Sequence, residues 1–323
     1  MAEWQIERGI GEDRAILTEG GHILQTRQHW HGELISGSII TAILVSKIAG
    51  SKRGTGRLSN GTEILIDRLP ANAQEGAEIT VEVTRSAIGE RGRLKMAQAR
   101  PSTSEPASIT VEDSLATTRF PVRPVRRFTV SGWSGIIADS LAQSVTFNGG
   151  TLLLSPTPAM LMIDIDGILP PRGLAMAAIP AIARAIRQFD IGGMIGIDFP
   201  TVSGRQDRRA VDEALDAALG DWQHERTAMN GFGFVQLVAR LQRPSLFHRA
   251  STSRAGLIAR QLLRQAEHLS DPGAILLSVH PAIKAKLNPN WLEQLARRTG
   301  REVRIEVQPA LALEGAFAQS VPL

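Results

Sequence analysis

Two short apolar runs, residues 160–165 and 194–197, each lead into an aspartate, and the stretch between them is patterned as a helix. Apolar at consecutive positions, each run reads as a strand buried on both faces, the pattern of a parallel sheet. Residues 173–189 carry Ala, Ile and Arg at helical spacing, and a strand, helix, strand crossover brings the chain back parallel to its start. Asp164 and Asp198 therefore close two strands at the same sheet edge. As neighbours about 4.8 Å apart, they can share one hard cation, which prefers carboxylate oxygen. Asp166 follows two residues after Asp164, on the same side of a strand, so three acids can converge there, with a cation between them to relieve their repulsion. A structural alternative stays open: an aspartate at a strand end also caps the next helix or accepts bonds from loop amides.

The chain has 323 residues, enough for two or three compact units. It contains no cysteine, which excludes disulfides, thiolate zinc sites and a cysteine nucleophile. Its first residues are charged throughout, unlike a secretory signal, and no run approaches the ~18 apolar residues of a spanning helix. A cytoplasmic protein without membrane contact is expected. The net charge of +4 favours a polyanionic partner.

Residues 4–7, 15–18 and 22–28 read as strands, the last two joined by a hairpin at Gly20-Gly21, and His29-Trp30-His31 reads as a solvated turn. Three strands cannot close a core alone. Residues 38–46, 56–58, 63–66, 79–84 and 93–98 form a second set, the pattern of a small barrel of the oligonucleotide-binding kind. Its loops carry Lys52, Arg53, Arg57, Arg91, Arg93 and Lys95, suited to a phosphate backbone. The segment has no Phe, Tyr or Trp for base stacking, so a merely solvated basic barrel is the competing reading. Residues 101–112 look like a linker. Arg123, Arg126 and Arg127 follow, interleaved with Phe120 and Phe128, either as a phosphate and base grip or as an edge strand kept soluble by its arginines. Helices are expected at 133–143, 204–218, 255–268 and 291–299, and strands at 232–241, 274–279 and 302–307. The last four of these elements make a small α/β unit.

The central stretch resembles the ribonuclease E/G family of bacterial endoribonucleases. The resemblance lies in Asn148-Gly149-Gly150-Thr151-Leu152-Leu153-Leu154, in Ala159-Met160-Leu161-Met162-Ile163-Asp164-Ile165-Asp166-Gly167, in the run from Asp190-Ile191-Gly192-Gly193 to Ile197-Asp198-Phe199, and in Arg209-Ala210-Val211. It continues more weakly through Phe232-Gly233-Phe234 and Arg243-Pro244-Ser245-Leu246 to Val279-His280-Pro281.

The resemblance implies an α/β, multidomain chain. A ribonuclease H-like domain (1–31, resuming with a linker over 101–147) would be interrupted by an S1-like barrel (32–100), followed by a DNase I-like catalytic domain (148–250) and a small C-terminal α/β domain (251–323). Asp164 and Asp198 match the family's two magnesium-binding aspartates, and Asp166 stands where the family has Asn. Thr201 replaces an acid, and Ala239-Arg240-Leu241 replaces a basic pair. The region of the family's 5′-monophosphate pocket is cut to about thirty residues. The family's zinc-sharing Cys-Pro-x-Cys link corresponds to 247–254, which has one His and no Cys, so no zinc and a monomer or zinc-independent homodimer are implied.

The implied activity is magnesium-dependent endonucleolytic cleavage of single-stranded RNA, with Asp164, Asp166 and Asp198 at the catalytic centre. Two alternatives remain at this point. One is a catalytically weakened RNA-binding relative. The other is a phosphatase of the haloacid dehalogenase type, since Asp164-Ile165-Asp166-Gly167 also resembles the nucleophile loop of those enzymes.

Overall fold

The computed structural model describes residues 1–90 and 93–323. Strands β1 (Glu3–Arg8), β2 (Glu12–Glu19) and β3 (His22–Trp30) form an antiparallel meander. The β2–β3 hairpin turns on Gly20 and Gly21, both at positive φ, as a two-residue turn between twisted strands requires. Of the solvated turn expected at 29–31 only His31 is in an exposed turn, while His29 and Trp30 are the end of β3. Trp30 is buried there, with the guanidiniums of Arg249 and Arg260 over its ring at 4.5 and 3.8 Å.

The chain then leaves this sheet to build a closed barrel from β4 (Ile39–Lys47), β5 (Gly54–Arg57), β6 (Glu63–Ile66), β7 (Glu78–Arg85) and a fifth strand. Alternation fills its interior with Leu44, Ile64, Ile66, Val81 and Ala99. Residues 93–98 were expected to be the fifth strand. They divide instead: β8 (Ile88–Glu90) and β9 (Arg93–Lys95) make a separate hairpin, and β10 (Gln98–Pro101) closes the barrel against β6 and β7. Ala97 and Ala99 are buried in the barrel core.

Beyond the barrel, 101–112 is more than a linker. Ala107 bridges Ile39, and Val111 and Leu115 pack on Trp4, Ile6 and Leu17 of the first sheet. The chain rejoins that sheet through β11 (Val122–Val125), an edge strand parallel to β1. The order β11-β1-β2-β3 is thus assembled from both sides of the barrel.

Helix α1 (Trp133–Ala142) leads to the second large sheet. Strands β12 (Ser144–Phe147) and β13 (Gly150–Pro156) form a hairpin through Asn148-Gly149, followed by β14 (Leu161–Gly167), α2 (Pro171–Gln188), β15 (Gly193–Asp198), α3 (Arg205–Leu219), β16 (Glu225–Arg226) and β17 (Phe234–Ala239). The order is β12-β13-β14-β15-β17-β16, with β14 and β15 parallel and their other neighbours antiparallel.

One face of this sheet is dry. Leu152, Leu154, Leu161, Ile163, Ile165, Ile195, Ile197, Val235 and Leu237 join α2 and α3 in the largest core, which also takes in Ile16, Ile23 and Trp30 of the first sheet. The other face is open, so β14 and β15 are not buried on both sides as their sequences suggested. Met160, Met162 and Met194 made the outer positions look apolar, yet Met194 is 42% exposed.

Helices α4 (Leu246–Thr252) and α5 (Arg254–Glu267) pass to a three-stranded sheet of β18 (Ala274–Val279), then α6 (Pro281–Lys284), α7 (Pro289–Thr299), β19 (Val303–Val307) and β20 (Phe317–Val321). This unit is bolted to the first sheet by buried charge. Glu7 accepts from Arg14 at 2.9 Å, from both arms of Arg264 at 2.7 and 3.0 Å, and from the Phe128 amide at 3.1 Å. Arg14 is fully buried, with its Nε 3.0 Å from Glu12. Gly9 makes room for it, since a Cβ there would fall 1.8 Å from an Arg14 terminal nitrogen. Burial pushes Arg260 down to about 10 against the pull of Glu12; its Nε donates to the Gly11 carbonyl.

Candidate active site and basic surfaces

Asp164 and Asp198 come together as the strand, helix, strand pattern requires. In the parallel ladder of β14 and β15 they are direct register partners, which places their backbones one strand spacing, about 4.8 Å, apart. β15 ends at Asp198, whereas β14 continues three residues past Asp164 to Gly167. Both carboxylates are exposed on the open face. Neither takes a hydrogen bond or an ion pair among the described residues. The capping alternative therefore fails here: α2 starts after Pro170 and α3 after Gly204, and neither helix has a side-chain cap.

Asp166 is on the same face, across from Thr151, but about 7 Å along the strand from Asp164. Among the described residues no three His, Cys, Asp or Glu side chains gather at metal-binding distance. The convergence of three acids is thus corrected to a pair with a third carboxylate nearby. Two exposed carboxylates without protein partners are a donor set that suits magnesium, which is commonly held by one or two carboxylates and keeps several waters. Helices α2 and α3 start just beyond these strand ends, directing positive dipole ends to the same edge. Arg172 and Arg205 are exposed in their first turns, Arg172 at 3.1 Å from Asp207.

The neighbouring surface is apolar. A Cβ on Gly196 would meet the Phe234 ring and the sulfurs of Met160 and Met162 at 2.7 to 2.8 Å. Gly196 thus allows these three side chains to close over β15 beside the acid pair. Phe234 is the antiparallel register partner of Asp198.

The basic residues picked from the sequence are dispersed. Arg53 pairs with Asp67 and Arg57 with Glu63, both at 2.8 Å, on the barrel surface. Lys52 and Lys95 are exposed. Arg57 shares the outer barrel face with Ile43 and Leu65, both partly exposed. Arg91 lies outside the described residues, and Arg93 is placed only by its backbone, opposite Glu90. Arg123 is on the edge strand β11, 2.8 Å from Glu3, as the edge-strand reading of 119–128 anticipates. Arg126 and Arg127 are exposed. Exposed pairs of this kind are worth ~0–1 kcal/mol, so a phosphate can displace the carboxylate.

A denser cationic site escaped the sequence reading. Arg27, Arg119, Arg187, Arg240 and Arg243 line one cavity of about 480 Å³ with Asp190 and Asp221. Asp190 holds Arg27 on one oxygen and Arg243 on the other, each at 3.0 Å. Burial pushes Arg27 below its usual pKa, with Asp190 pulling the other way. The only signal in the sequence was Asp190 itself, an acid ahead of Gly192-Gly193, here at φ 51°. Its two partners are distant along the chain and carry no local pattern.

Residues 122–240 match the sequence model of the Ribonuclease E/G family. Ribonuclease G of Escherichia coli (strain K12) is 26% identical over 191 residues, covering 50% of this chain and 39% of that protein. Ribonuclease G of Salmonella typhimurium (strain SL1344) is 27% identical over the same length and coverage. The chloroplastic Ribonuclease E/G-like protein of Arabidopsis thaliana is 29% identical over 115 residues, 31% of this chain and 11% of that one. The match thus spans about two fifths of the ribonuclease G sequences. The matched segment contains Asp164, Asp198, Asp190 and Phe232.

Proposed function

We propose that this chain, whose residues 122–240 match the ribonuclease E/G family, is a magnesium-dependent endoribonuclease of that family that cuts single-stranded RNA in the cytoplasm. The observation that carries the reading is the register pairing of Asp164 with Asp198 on an open face inside the matched segment. We assign β12–β17 with α2 and α3 to a DNase I-like catalytic domain, and the two-part sheet β11-β1-β2-β3 to a ribonuclease H-like domain. The barrel between its parts is assigned to the S1 type: its strands join in the order first, second, third, fifth, fourth, which is that of oligonucleotide-binding barrels. Among the described residues no helix is long and apolar enough to cross a membrane.

In this reading Asp164 and Asp198 would hold a magnesium ion, which would lower the pKa of a bound water so that hydroxide is available to attack phosphorus and would neutralise charge on the phosphodiester. Asp166 orients water on the same face, with a charge where the family has an amide. Arg172 and Arg205 stand at the edge where phosphate oxygens would arrive. Barrel residues Lys52, Arg53 and Arg57, Lys95 of the β8–β9 hairpin, and Arg126 and Arg127 hold the flanking backbone by charge that carries no sequence information.

The binding-only reading draws on Thr201 and Ala239-Arg240-Leu241, where family side chains are replaced. The phosphatase reading has less support, because the only lysines after Asp164 are Lys284 and Lys286, in the C-terminal unit. Incubating the purified chain with end-labelled single-stranded RNA, with magnesium or with chelator, separates these. Internal cuts that need magnesium and vanish in Asp198→Asn support the nuclease. Retention of RNA without cutting supports the binding module.

A further inference from the structure

We infer that the catalytic sheet carries its own stacking subsite for an unpaired nucleobase, built on Phe232 at the rim of the acid pair. This deepens the endoribonuclease reading and rests on it.

Phe232 is 83% exposed. A lone exposed aromatic is ordinary on a protein surface, but this one is held on a rigid turn. The Asn230 side-chain oxygen accepts from the amides of Phe232 and Phe234 at 2.9 and 3.0 Å, and the Gly233 amide donates to the Asn230 carbonyl at 3.2 Å. Gly233 has φ 94° and lies so close to the Phe199 carbonyl that a Cβ would come within 2.4 Å of it. The Phe199 amide in turn donates to the Gly233 carbonyl at 3.1 Å. The turn is therefore clamped to the residue that follows Asp198. A ring presented on so constrained a backbone loses little further freedom when a planar partner settles on it.

Position makes the partner a base. Phe234 is the register partner of Asp198, about 5 Å away at Cα, and Phe232 is two residues further. Its Cα is thus no more than about 13 Å from that of Asp198, and its side chain covers part of that distance. A base one or two nucleotides from a phosphate at the acid pair reaches it. Beyond Phe232 the floor continues over Gly196 as the Phe234 ring and two methionine sulfurs. Apolar, polarizable surface of this kind accepts π faces. The barrel has no aromatic residue in 32–100, so the stacking contribution that usually accompanies basic grooves has to come from elsewhere. A subsite of this type tolerates any base, since each has a π face, but excludes a duplex, whose faces are already stacked.

The test uses Phe232→Ala, Phe232→Leu and Phe232→Trp in the full chain, with a short single-stranded RNA and copies carrying one abasic nucleotide at each position around the cleavage point. Affinity is read by fluorescence anisotropy in chelator, where nothing is cut. Loss of one stacked base lowers affinity about tenfold. Phe232→Ala and Phe232→Leu should show that loss, Phe232→Trp should retain the parent affinity, and one abasic position should weaken the parent tenfold while leaving Phe232→Ala unaffected. With magnesium, KM should rise by the same factor while kcat changes less than about twofold. The inference is overturned if Phe232→Ala binds as the parent does, or if every abasic copy costs both proteins equally. A stacking signature in a chain that never cuts RNA would sink the nuclease reading instead. Cleavage abolished by Asp198→Asn but indifferent to Phe232 would leave that reading intact and remove the subsite.

Discussion

Asp164 and Asp198 are direct cross-strand partners on an exposed sheet face, and among the described residues no protein group neutralises either of them. Adjacent like charges in a fold are a cost that a bound cation offsets. Removing one should therefore disable chemistry without harming the fold. We expect Asp198→Asn and Asp164→Asn to lower magnesium-dependent cleavage at least ~1,000-fold, as loss of a transition-state contact of some 4 kcal/mol does, and to leave RNA affinity in chelator within about threefold, because phosphate contacts lie elsewhere. Saturating magnesium should raise the melting temperature of the parent and not of the variants, since only a ligand bound to the native state stabilises it. Scanning calorimetry with and without magnesium checks this; an equal magnesium shift in Asp198→Asn would remove Asp198 from the site.

Asp166 offers a graded version of the same experiment. Its charge stands about 7 Å along the strand from Asp164, too far to complete a ligand triad yet near enough to attract a divalent cation. Asp166→Asn, which restores the amide of the family pattern, should keep cleavage while raising the magnesium concentration needed for half-maximal rate. A titration of rate against magnesium measures this directly. Complete loss of activity would make Asp166 a ligand.

Glu7 sets an acid limit on stability. Burial alone would push its pKa up, but Arg14, the paired bonds from Arg264 and the Phe128 amide more than reverse that and hold it below the usual glutamate value of 4.5. A carboxyl with a depressed native pKa contributes stability that is present above 4.5 and is lost as pH falls through the native value. Melting temperature should therefore fall steeply below about pH 4. Glu7→Gln should cost up to about 3–5 kcal/mol at neutral pH by leaving the buried Arg14 with Glu12 alone and taking the carboxylate from Arg264, and its stability should depend less on acid. Denaturant melts at pH 7 and pH 4 give both numbers; parallel pH profiles for parent and variant would show that Glu7 is not the titrating group.

Assembly should not depend on zinc. Residues 247–252 lie in α4, where Phe247 and His248 are buried and a His248 ring nitrogen is 2.8 Å from the Ser245 hydroxyl. A buried histidine already engaged in its own helix is a poor start for a tetrahedral site. We expect light scattering to give the same mass before and after chelation, with less than one zinc per chain by metal analysis. A mass halved by chelation would overturn this.

The acid pair was legible because strand, helix, strand connectivity fixes both direction and edge, so that two aspartates at equivalent strand positions must meet. The barrel was legible for a similar reason: short alternating runs separated by turn residues admit few architectures. The openness of the catalytic sheet was not. Met162 and Met194 read as core residues although they cover a solvated face, and hydropathy alone does not distinguish the two. The fifth barrel strand was displaced because Arg93 and Lys95 alternate with apolar residues as well as Ala97 and Ala99 do, and only the closure of the barrel decides between them. Trp30, Arg14 and the pair Arg27 and Arg243 were invisible for a common reason. Their partners are brought to them by tertiary packing, across spans of chain over which no periodicity carries information.

The first sheet is laid down in two instalments, and this has a consequence for synthesis. Trp4 of β1 finds its register partner in Val122 of β11, and Glu7 receives its second guanidinium only from Arg264. As the chain leaves the ribosome from its N-terminus at ~5–20 residues per second, the barrel can close while β1 still lacks one neighbour. For many seconds the nascent chain presents an unpaired edge and a glutamate that has Arg14 but neither the Phe128 amide nor Arg264. Long-range pairing of this kind is slow and exposed to wrong association. The polar character of Gln5 and Glu7 on that waiting strand keeps its edge soluble until the rest arrives. Truncated chains that stop before Val122 should therefore be caught by chaperones through the first sheet rather than through the barrel.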